Sequence, residues 1–444
     1  RVLPMKARHL LFLAPLALAM TTSLPCATGD AFAQETKVAA LKAETKAKPK
    51  DASAAFALGR ALRRAGRWAE AKTELVRAAT LSTGKDQVKA RYELARVEFD
   101  QGVTNKSLPL PPSLATCKNV KIGKLGEAMS RLCAAEAWLT FARASMAEDE
   151  LAAAAKIDPA LYELKLGYAM VDVTADKHDD AVVKLKALSV ATPTRAEAFR
   201  WLGHEYLALD KRADAIAPLK KALVLDADWP EIAFDLSRAL PDGAEARDSA
   251  RAAVAMKPTF PEAWIRLGEL ELATGGNDAA KAAFETGLKQ NAKIAAGHIG
   301  LAWANLKLKK PEEAKKAAQE AIKLAGTSAS ARLVYGEALA AAGQLDEAID
   351  AFKLAAGLDS KDPTGLVRAA EVLLAAKQPV KAEAHAESAV LSFPKDARCW
   401  LVLADVQLAT GDKKEAKTSY QKALAAPQGT IDKAATQKKL DALK

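Results

Sequence analysis

The side chains best suited to metal binding or nucleophilic chemistry are few and widely separated. Beyond residue 33 the histidines are His178, His204, His298 and His385. Two zinc ligands on one helical face require the spacing H-E-x-x-H. His204 is followed by a glutamate, but Ala208 stands where the second histidine would be needed. The sequence therefore predicts no metal site and no cofactor.

Other enzyme signatures are also missing from the sequence. It contains no glycine-rich phosphate loop, no G-x-G-x-x-G and no G-x-S-x-G. Carboxylates are numerous, but they are interspersed with lysines, as in KKPEEAKKAAQEAIK over residues 309–323. That alternation is typical of ion pairs on a solvated helix face. We predict no catalytic residue and do not expect an enzyme.

Two cysteines could form a disulfide. Cys117 and Cys133 are close enough in sequence to pin the intervening loop in an oxidising compartment, and closing a loop of about 15 residues is worth roughly 3 kcal/mol. Two ordinary buried thiols are the alternative, and the sequence leaves both open. Cys399, next to Trp400, is predicted to be a small core residue.

Residues 1–33 have the pattern of a secretory signal peptide. From Met5 onward, the two cations Lys6 and Arg8 precede an apolar stretch over residues 10–20, and an A-x-A cleavage motif ends at Ala33. The apolar stretch is shorter than the roughly 20 residues that a membrane-spanning helix needs. We expect cleavage before Gln34, an exported protein in the periplasm or outside the cell, and no transmembrane segment. The residues around Cys26 do not favour a lipid anchor.

Composition indicates a helical and basic chain. Hydrophobic residues make up 50% of the 444 residues but aromatics only 5%, so much of the apolar content is alanine, which favours closely packed helices. The net charge is +10 at pH 7. A basic balance can indicate nucleic-acid binding. In an exported protein we expect no nucleic acid, and scattered lysines that keep a long protein soluble explain the charge better.

A period of about 34 residues runs through most of the chain. Positions are numbered here from the first residue of each unit, so that Ala196 is position one of the unit 196–229. Alanine recurs at position twenty: Ala71, Ala147, Ala181, Ala215, Ala246, Ala280, Ala314, Ala348, Ala382 and Ala416. A larger residue recurs at position twenty-four: Leu75, Leu151, Leu185, Leu219, Phe284, Phe352 and Tyr420.

This pattern resembles the tetratricopeptide repeat, whose units carry W-x2-L-G-x2-Y followed by A-x3-F-x2-A. The resemblance extends over about 52–430. It implies an all-α solenoid, a right-handed superhelix of stacked helix–turn–helix units. The glycines at position eight, Gly203, Gly268 and Gly336, should lie where helices pass closely, so that leucine there costs roughly 1–3 kcal/mol. Gly66, Gly275, Gly343 and Gly411, at position fifteen, should end the first helices.

Departures from the period divide the chain. After the signal peptide we expect a Lys-rich linker or loosely helical arm over 34–51, amino-terminal repeat-like units over 52–102, and a Pro-rich insertion over 103–127. A continuous array over 128–430 and a capping helix over 431–444 follow. One unit, 230–260, is shorter than the others, and Pro241 should stop its first helix and kink the superhelix there.

The resemblance also implies a concave groove lined by the first helix of each unit. Position nine would point into it: Arg60, Arg96, Glu136, Met170, His204, Arg238, Glu269, Trp303, Glu337, Glu371 and Asp405. Arg63, Arg64 and Arg200 would add positive charge to the early part of the groove. A basic early groove, an acidic late groove and an apolar position five suit an extended peptide or amphipathic helix. The alternative is that position five is partly core and position nine merely solvated.

The predicted function is a non-catalytic, exported scaffold or adaptor that binds another protein in a bacterial envelope assembly. A repeat subunit of a polysaccharide or pilus export or assembly system is the alternative. The sequence gives no indication of the oligomeric state.

Overall fold

The chain forms a succession of short helices in antiparallel pairs. The computed structural model describes residues 30–105 and 116–443. In these ranges every regular element is helical, apart from an isolated bridge between Asp396 and Gln428. The amino-terminal helices are α1 Asp30–Ala47, α2 Ala52–Arg64, α3 Trp68–Leu81 and α4 Gly84–Asn105. The helices that follow are α5 Gly123–Thr140, α6 Ala144–Ile157, α7 Tyr162–Thr174, α8 His178–Ala191, α9 Ala196–Ala208, α10 Arg212–Leu225, α11 Pro230–Ala239, α12 Ala244–Met256, α13 Pro261–Ala273, α14 Asn277–Gln290, α15 Ala295–Lys307, α16 Pro311–Leu324, α17 Ala329–Ala341, α18 Leu345–Leu358, α19 Thr364–Ala375, α20 Pro379–Ser392, α21 Ala397–Thr410, α22 Lys413–Ala425 and α23 Lys433–Asp441.

Each unit supplies a first and a second helix, and the stack curves. The two helices of a unit pack on each other, and the second packs on the first helix of the next unit. First helices of most consecutive units also contact one another, whereas the second helices of consecutive described units have no comparable contact. The first helices therefore line the inner side of the curve. The all-α fold of stacked helix pairs predicted from the repeat is confirmed.

The close approach predicted at position eight is confirmed, and Gly300, at position six of the next unit, shares it. Phe284 is fully buried between Gly268, in the first helix of its own unit, and Gly300, in the next first helix. A Cβ atom built on Gly268 would lie 2.7 Å from Cε1 of Phe284, closer than real side chains come. The same holds for Gly336, whose Cβ would lie 2.6 Å from Phe352. Large residues at position twenty-four thus require glycine or alanine at position eight of the same unit.

The residue at position fifteen has a left-handed backbone conformation in most units of the array. The predicted helix-ending glycines Gly66, Gly275, Gly343 and Gly411 all have positive φ, between 72° and 97°. Every non-glycine residue with positive φ in the described part of the chain also falls at position fifteen: Ala142, Asp176, Asp210, Lys309 and Lys377. The turn geometry therefore follows from the repeat even where the sequence lacks its preferred glycine.

Replacing Ala142 by glycine is expected to stabilise its unit by about 0.5–1 kcal/mol, because Ala142 has φ 54°, where an alanine side chain is strained and glycine is not. The gain is smaller than the strain because glycine also increases the entropy of the unfolded chain. The measurement is urea unfolding beside Ala152→Gly, an exposed position inside α6 of the same unit. That control should be destabilised, and loss of stability in both variants would contradict the prediction.

Residues 34–47 are helical and pack on the first unit. Of the two descriptions that the sequence left open, the arm fits and the solvated linker does not, because Val38 and Thr45 of α1 are buried. Lys42 reaches α3, where its Nζ lies 2.7 Å from Oε2 of Glu70. Residues 1–29, which carry most of the predicted signal peptide, lie outside the described part of the chain.

The predicted insertion is shorter in the structure than in the sequence pattern. α4 continues to Asn105 and α5 begins at Gly123, so both ends of 103–127 are helical. A disulfide joins Cys117 to Cys133 of α5, with their Cα atoms 5.5 Å apart. Both side chains are buried in the apolar cluster shared by α4 and α5, and the bridge fixes the end of the insertion to the array.

The unit 230–260, called the short unit below, contacts the amino terminus. Its first helix, α11, ends at Ala239, before Pro241 as predicted, and has 10 residues. Helix α1 packs against its second helix, α12. The end of α2 contacts the loop just before the short unit, because Arg64 pairs with Asp226 there. The unit of α2 and α3, called the first unit below, is therefore held against the middle of the array.

The carboxyl-terminal helix covers the last unit. Leu440 is buried against Tyr420 and Ala416, and Leu443 is half-buried beside it. Ile431 precedes the helix and lies outside this cluster. Asp432 caps α23 by accepting a hydrogen bond from the backbone of Ala435 at 2.9 Å. A polar outer face and a buried leucine are what a terminal repeat requires.

Candidate protein-binding groove

The predicted groove cations nearest the amino terminus form ion pairs within the protein. Arg63 is buried and pairs with Glu93 at 3.1 Å and with Asp100 at 2.7 Å. The side chain of Arg64 is only 8% exposed and pairs with Asp226. The prediction that these two arginines face a ligand is wrong, because burial of a guanidinium demands a carboxylate partner within the fold.

A network of charges centres on Glu93 of α4. Its carboxylate faces Arg63, Arg96 at 3.3 Å and Arg60 at 3.9 Å. Burial raises the pKa of Glu93, but these arginines outweigh it and lower the pKa to about 2. Arg96 also contacts Glu136 at 2.9 Å. The network fixes the concave faces of α2, α4 and α5 together and leaves little net charge there.

The middle of the groove keeps more accessible cations. The guanidinium of Arg200 lies 4.0 Å from the Trp201 ring and forms no ion pair with the described residues. His204 lies 3.1 Å from Oδ2 of Asp235, and exposed Arg238 lies 3.6 Å from Oδ1 of the same carboxylate. Arg200 and Arg238 are therefore the predicted groove cations best placed to meet an external anion.

The late acidic residues are largely neutralised. Arg368 bridges Glu337, at 2.7 Å, and Glu371, and its hydrogen bond to Glu337 is the main cause that raises the pKa of Arg368. Lys439 of the capping helix lies 2.7 Å from Asp405. Glu269 is exposed and lies 3.2 Å from Arg266. Paired charges project a weak field into solvent, so the predicted opposition between a basic and an acidic end is much reduced.

Several of these pairs follow one rule that the sequence prediction missed. Position nine of one unit faces position six of the next, as in His204 with Asp235 and Glu337 with Arg368. Arg60 and Glu93 occupy the same two positions across the first pair of units. Opposite charges at these two positions of consecutive units were the available signal. The rule makes position nine mainly a link between units.

Trp303 differs from the tryptophans at position four. Trp264 and Trp400 donate their indole N–H groups to the carbonyl oxygens of Pro258 and Pro394, each at 2.8 Å, and so fasten consecutive units. Trp303, at position nine of α15, is half-buried and its indole has no hydrogen-bond partner among the described residues. An amphipathic ring on the concave side, half open to solvent, is suited to contact a partner.

No site for metal or nucleophilic chemistry accompanies the groove in the described ranges. These residues contain no cluster of three histidine, cysteine or acidic side chains that could hold a metal ion. Burial raises the pKa of the Cys399 thiol to about 12, so it stays protonated and unreactive. Among the helices of residues 30–105 and 116–443, none has both the length and the apolarity needed to cross a membrane.

Family models match the chain at the repeats. Two models, both described as tetratricopeptide repeat, match residues 38–86, 56–102, 265–327 and 301–363, and residues 373–439. Together they cover slightly more than half of the chain. Stacked helix pairs with first helices on the concave side define a repeat solenoid that presents a protein-binding surface. The chain belongs to the tetratricopeptide-repeat family.

Solved repeat structures are similar over much of the chain. Yeast Tom70 is 15% identical, with a TM-score of 0.43, and the match covers 89% of this chain and 96% of that one. The Cut9–Hcn1 hetero-tetramer of APC/C is 14% identical, with a TM-score of 0.45, and the match covers 92% of this chain and 93% of that one. A tetratricopeptide repeat protein from Parabacteroides merdae is 16% identical, with a TM-score of 0.40, over 64% of this chain and 98% of that one. No curated protein sequence matches.

Proposed function

We propose that the protein is a non-catalytic scaffold that holds a partner protein against its concave face, with Trp303 as the anchor. The half-buried indole of Trp303 carries this proposal, because Trp264 and Trp400 fasten units whereas the N–H group of Trp303 has no partner among the described residues. Tryptophan is enriched among residues that dominate binding energy. The groove cations Arg200 and Arg238 would meet an acidic group of the same partner.

The cellular setting is part of the proposal. An apolar stretch over residues 10–20 and the A-x-A motif ending at Ala33 support export, and the surrounding assembly would then belong to a bacterial envelope. A disulfide between Cys117 and Cys133 is compatible with an oxidising compartment.

Replacing Trp303 by alanine is expected to weaken partner capture by about 2 kcal/mol, close to thirtyfold, without unfolding the array. The measurement is capture from envelope extracts by immobilised protein, with bound proteins identified by mass spectrometry and the affinity of the main one then measured. Arg200→Glu with Arg238→Glu should chiefly slow association, and added salt should have the same effect.

The matched controls lie on the outer face. Val224 and Leu391 are exposed on second helices, at 80% and 85%, and replacing each by serine should leave capture unchanged. If the serine variants abolish capture while Trp303→Ala does not, the partner binds the convex side and the proposed groove is wrong.

A further inference from the structure

The first unit is joined to the loop before the short unit by a contact between charged groups distant in sequence. Arg64, the last residue of α2, forms a two-pronged hydrogen-bonded pair with the carboxylate of Asp226, 162 residues away. The same guanidinium lies 4.7 Å from the Trp229 ring, and Nη2 of Arg60 lies 3.7 Å from Asp226. Bidentate pairing and ring stacking are the geometries in which arginine binds most selectively.

In the part of the chain that the structure describes, Asp226 does not form the hydrogen bond that its counterparts in other units form. At the same position of other units, Asp158, Asn291 and Asp359 accept a hydrogen bond from the backbone N–H two residues later, at 3.0–3.1 Å. Asp226 makes no such bond among the described contacts, and its carboxylate points to Arg64 instead. It also ends α10, where the helix dipole disfavours a negative charge and a nearby cation is favourable. The residue is therefore committed to the long-range pair.

Two further contacts join the amino terminus to the other side of the short unit. A Cβ built on Gly66, in the turn after α2, would lie 3.1 Å from Oγ1 of Thr259, in the loop after α12. α1 packs against α12. Among the side chains that the structure describes, the apolar cluster of the first unit, which contains Val38, Leu62 and Leu75, includes no residue of the short unit. The cluster around Trp229 likewise includes no described residue of the first unit. The joint of the first unit itself is therefore made by the ion pairs of Arg64 and Arg60 with Asp226, beside the packing of α1 on α12.

We propose that the first unit is a releasable clasp, which closes residues 52–260 into a ring when Arg64 is seated on Asp226 and opens when this pair is broken. In the closed form the concave face of these units is reached only through the ends of the ring. The units from Pro261 onward remain open along their length, and Trp303 lies among them. The identity of any partner segment inside the ring depends on the proposed function. The opening and closing of the ring do not depend on it.

The experiment is small-angle X-ray scattering on the purified chain at low and high salt. Arg64→Glu should increase the radius of gyration and the maximum dimension at low salt, with helix content by circular dichroism unchanged. Combining Arg64→Glu with Asp226→Arg restores an opposite-charge pair and should restore the compact dimensions. Arg67→Glu is the matched control, because Arg67 follows α2 closely but pairs with Glu70 and not with the short unit. The wild type should expand as salt screens the pair.

Two results would overturn the clasp. One is wild-type dimensions for Arg64→Glu at every salt concentration, and the other is failure of the charge-reversed pair to restore compactness after the single change has lost it. If Arg64→Glu instead loses helix content, recovery in the charge-reversed pair still supports the clasp and its absence rejects it. Failure to capture any partner would count against the proposed function alone, since scattering needs no partner.

Discussion

Glutamine in place of Glu93 is expected to lower the free energy of unfolding of the amino-terminal units by about 3–5 kcal/mol. The carboxylate is buried and is the shared counter-charge of Arg60, Arg63 and Arg96. Removing its charge leaves Arg63 buried with Asp100 as its remaining carboxylate. Loss of one partner from a buried ion network costs more than the network contributes as a whole, because the remaining charges stay desolvated.

The same residue predicts a pH dependence. The arginines around it overcome burial and lower the folded-state pKa of Glu93 to about 2, from an ordinary value of 4.5. A group whose pKa is depressed by folding stabilises the folded state above its unfolded pKa. Its contribution should therefore be complete above about pH 4.5 and be lost as the pH falls toward 2. Glu93→Gln should lack this part of the acid dependence.

Hydrogen exchange of α2, α4 and α5, together with urea unfolding at pH 7 and pH 3, measures both effects. Asp86→Asn is the control on the same helix, because Asp86 is 77% exposed and pairs only with nearby Lys89 at 3.3 Å among the described residues. It should change stability by less than about 0.5 kcal/mol. Equal behaviour of the two variants would show that the Glu93 network is not stabilising.

Truncating Phe284 to alanine is expected to destabilise the units around it by about 3–5 kcal/mol. Its ring is fully buried between Gly268 and Gly300, so its loss leaves a cavity that two helix backbones cannot easily close. Gly268→Leu should cost roughly 1–3 kcal/mol or more by overpacking the same space. Because leucine at 268 would occupy the volume vacated by Phe284, the double variant should be more stable than the sum of the single effects predicts.

Local hydrogen exchange in α13, α14 and α15 is the suitable measurement, since a repeat array can open in parts rather than all at once. Gly357→Leu is the matched control. A Cβ at Gly357 would have no neighbour within 4 Å, so leucine there should be neutral or slightly stabilising. Additive effects of Phe284→Ala and Gly268→Leu would mean that the two residues do not share one space.

Local features of this fold could be predicted from the sequence, because the repeat places the same residue types in the same surroundings. Ala215 at position twenty and Gly203 at position eight indicated where helices approach, and Gly275 indicated where a helix ends. Asp210 and Lys309 adopt the same left-handed turn without glycine, and only their register reveals it. Local sequence and packing agree at these positions, which is why one unit predicts the next.

The long-range contacts could not be predicted in this way. Whether Arg64 meets Asp226 depends on the small rotation between each pair of units added over the intervening array, and the repeat period does not contain that angle. Treating each groove residue alone also failed, since it assigned Arg63 to a ligand when Glu93 lies 3.1 Å away. Comparing charges between neighbouring units would have indicated pairs such as Glu337 with Arg368.

The pairing of the first unit with the loop before the short unit also bears on how the chain folds. An open array has contacts only between neighbours in sequence, so its terminal units fray and its folding is fast and local. The contact between Arg64 and Asp226 closes a loop of 162 residues, whose entropy must be lost before the contact forms. It should form late, and once formed it makes opening of the amino-terminal end cooperative with opening of the middle of the chain.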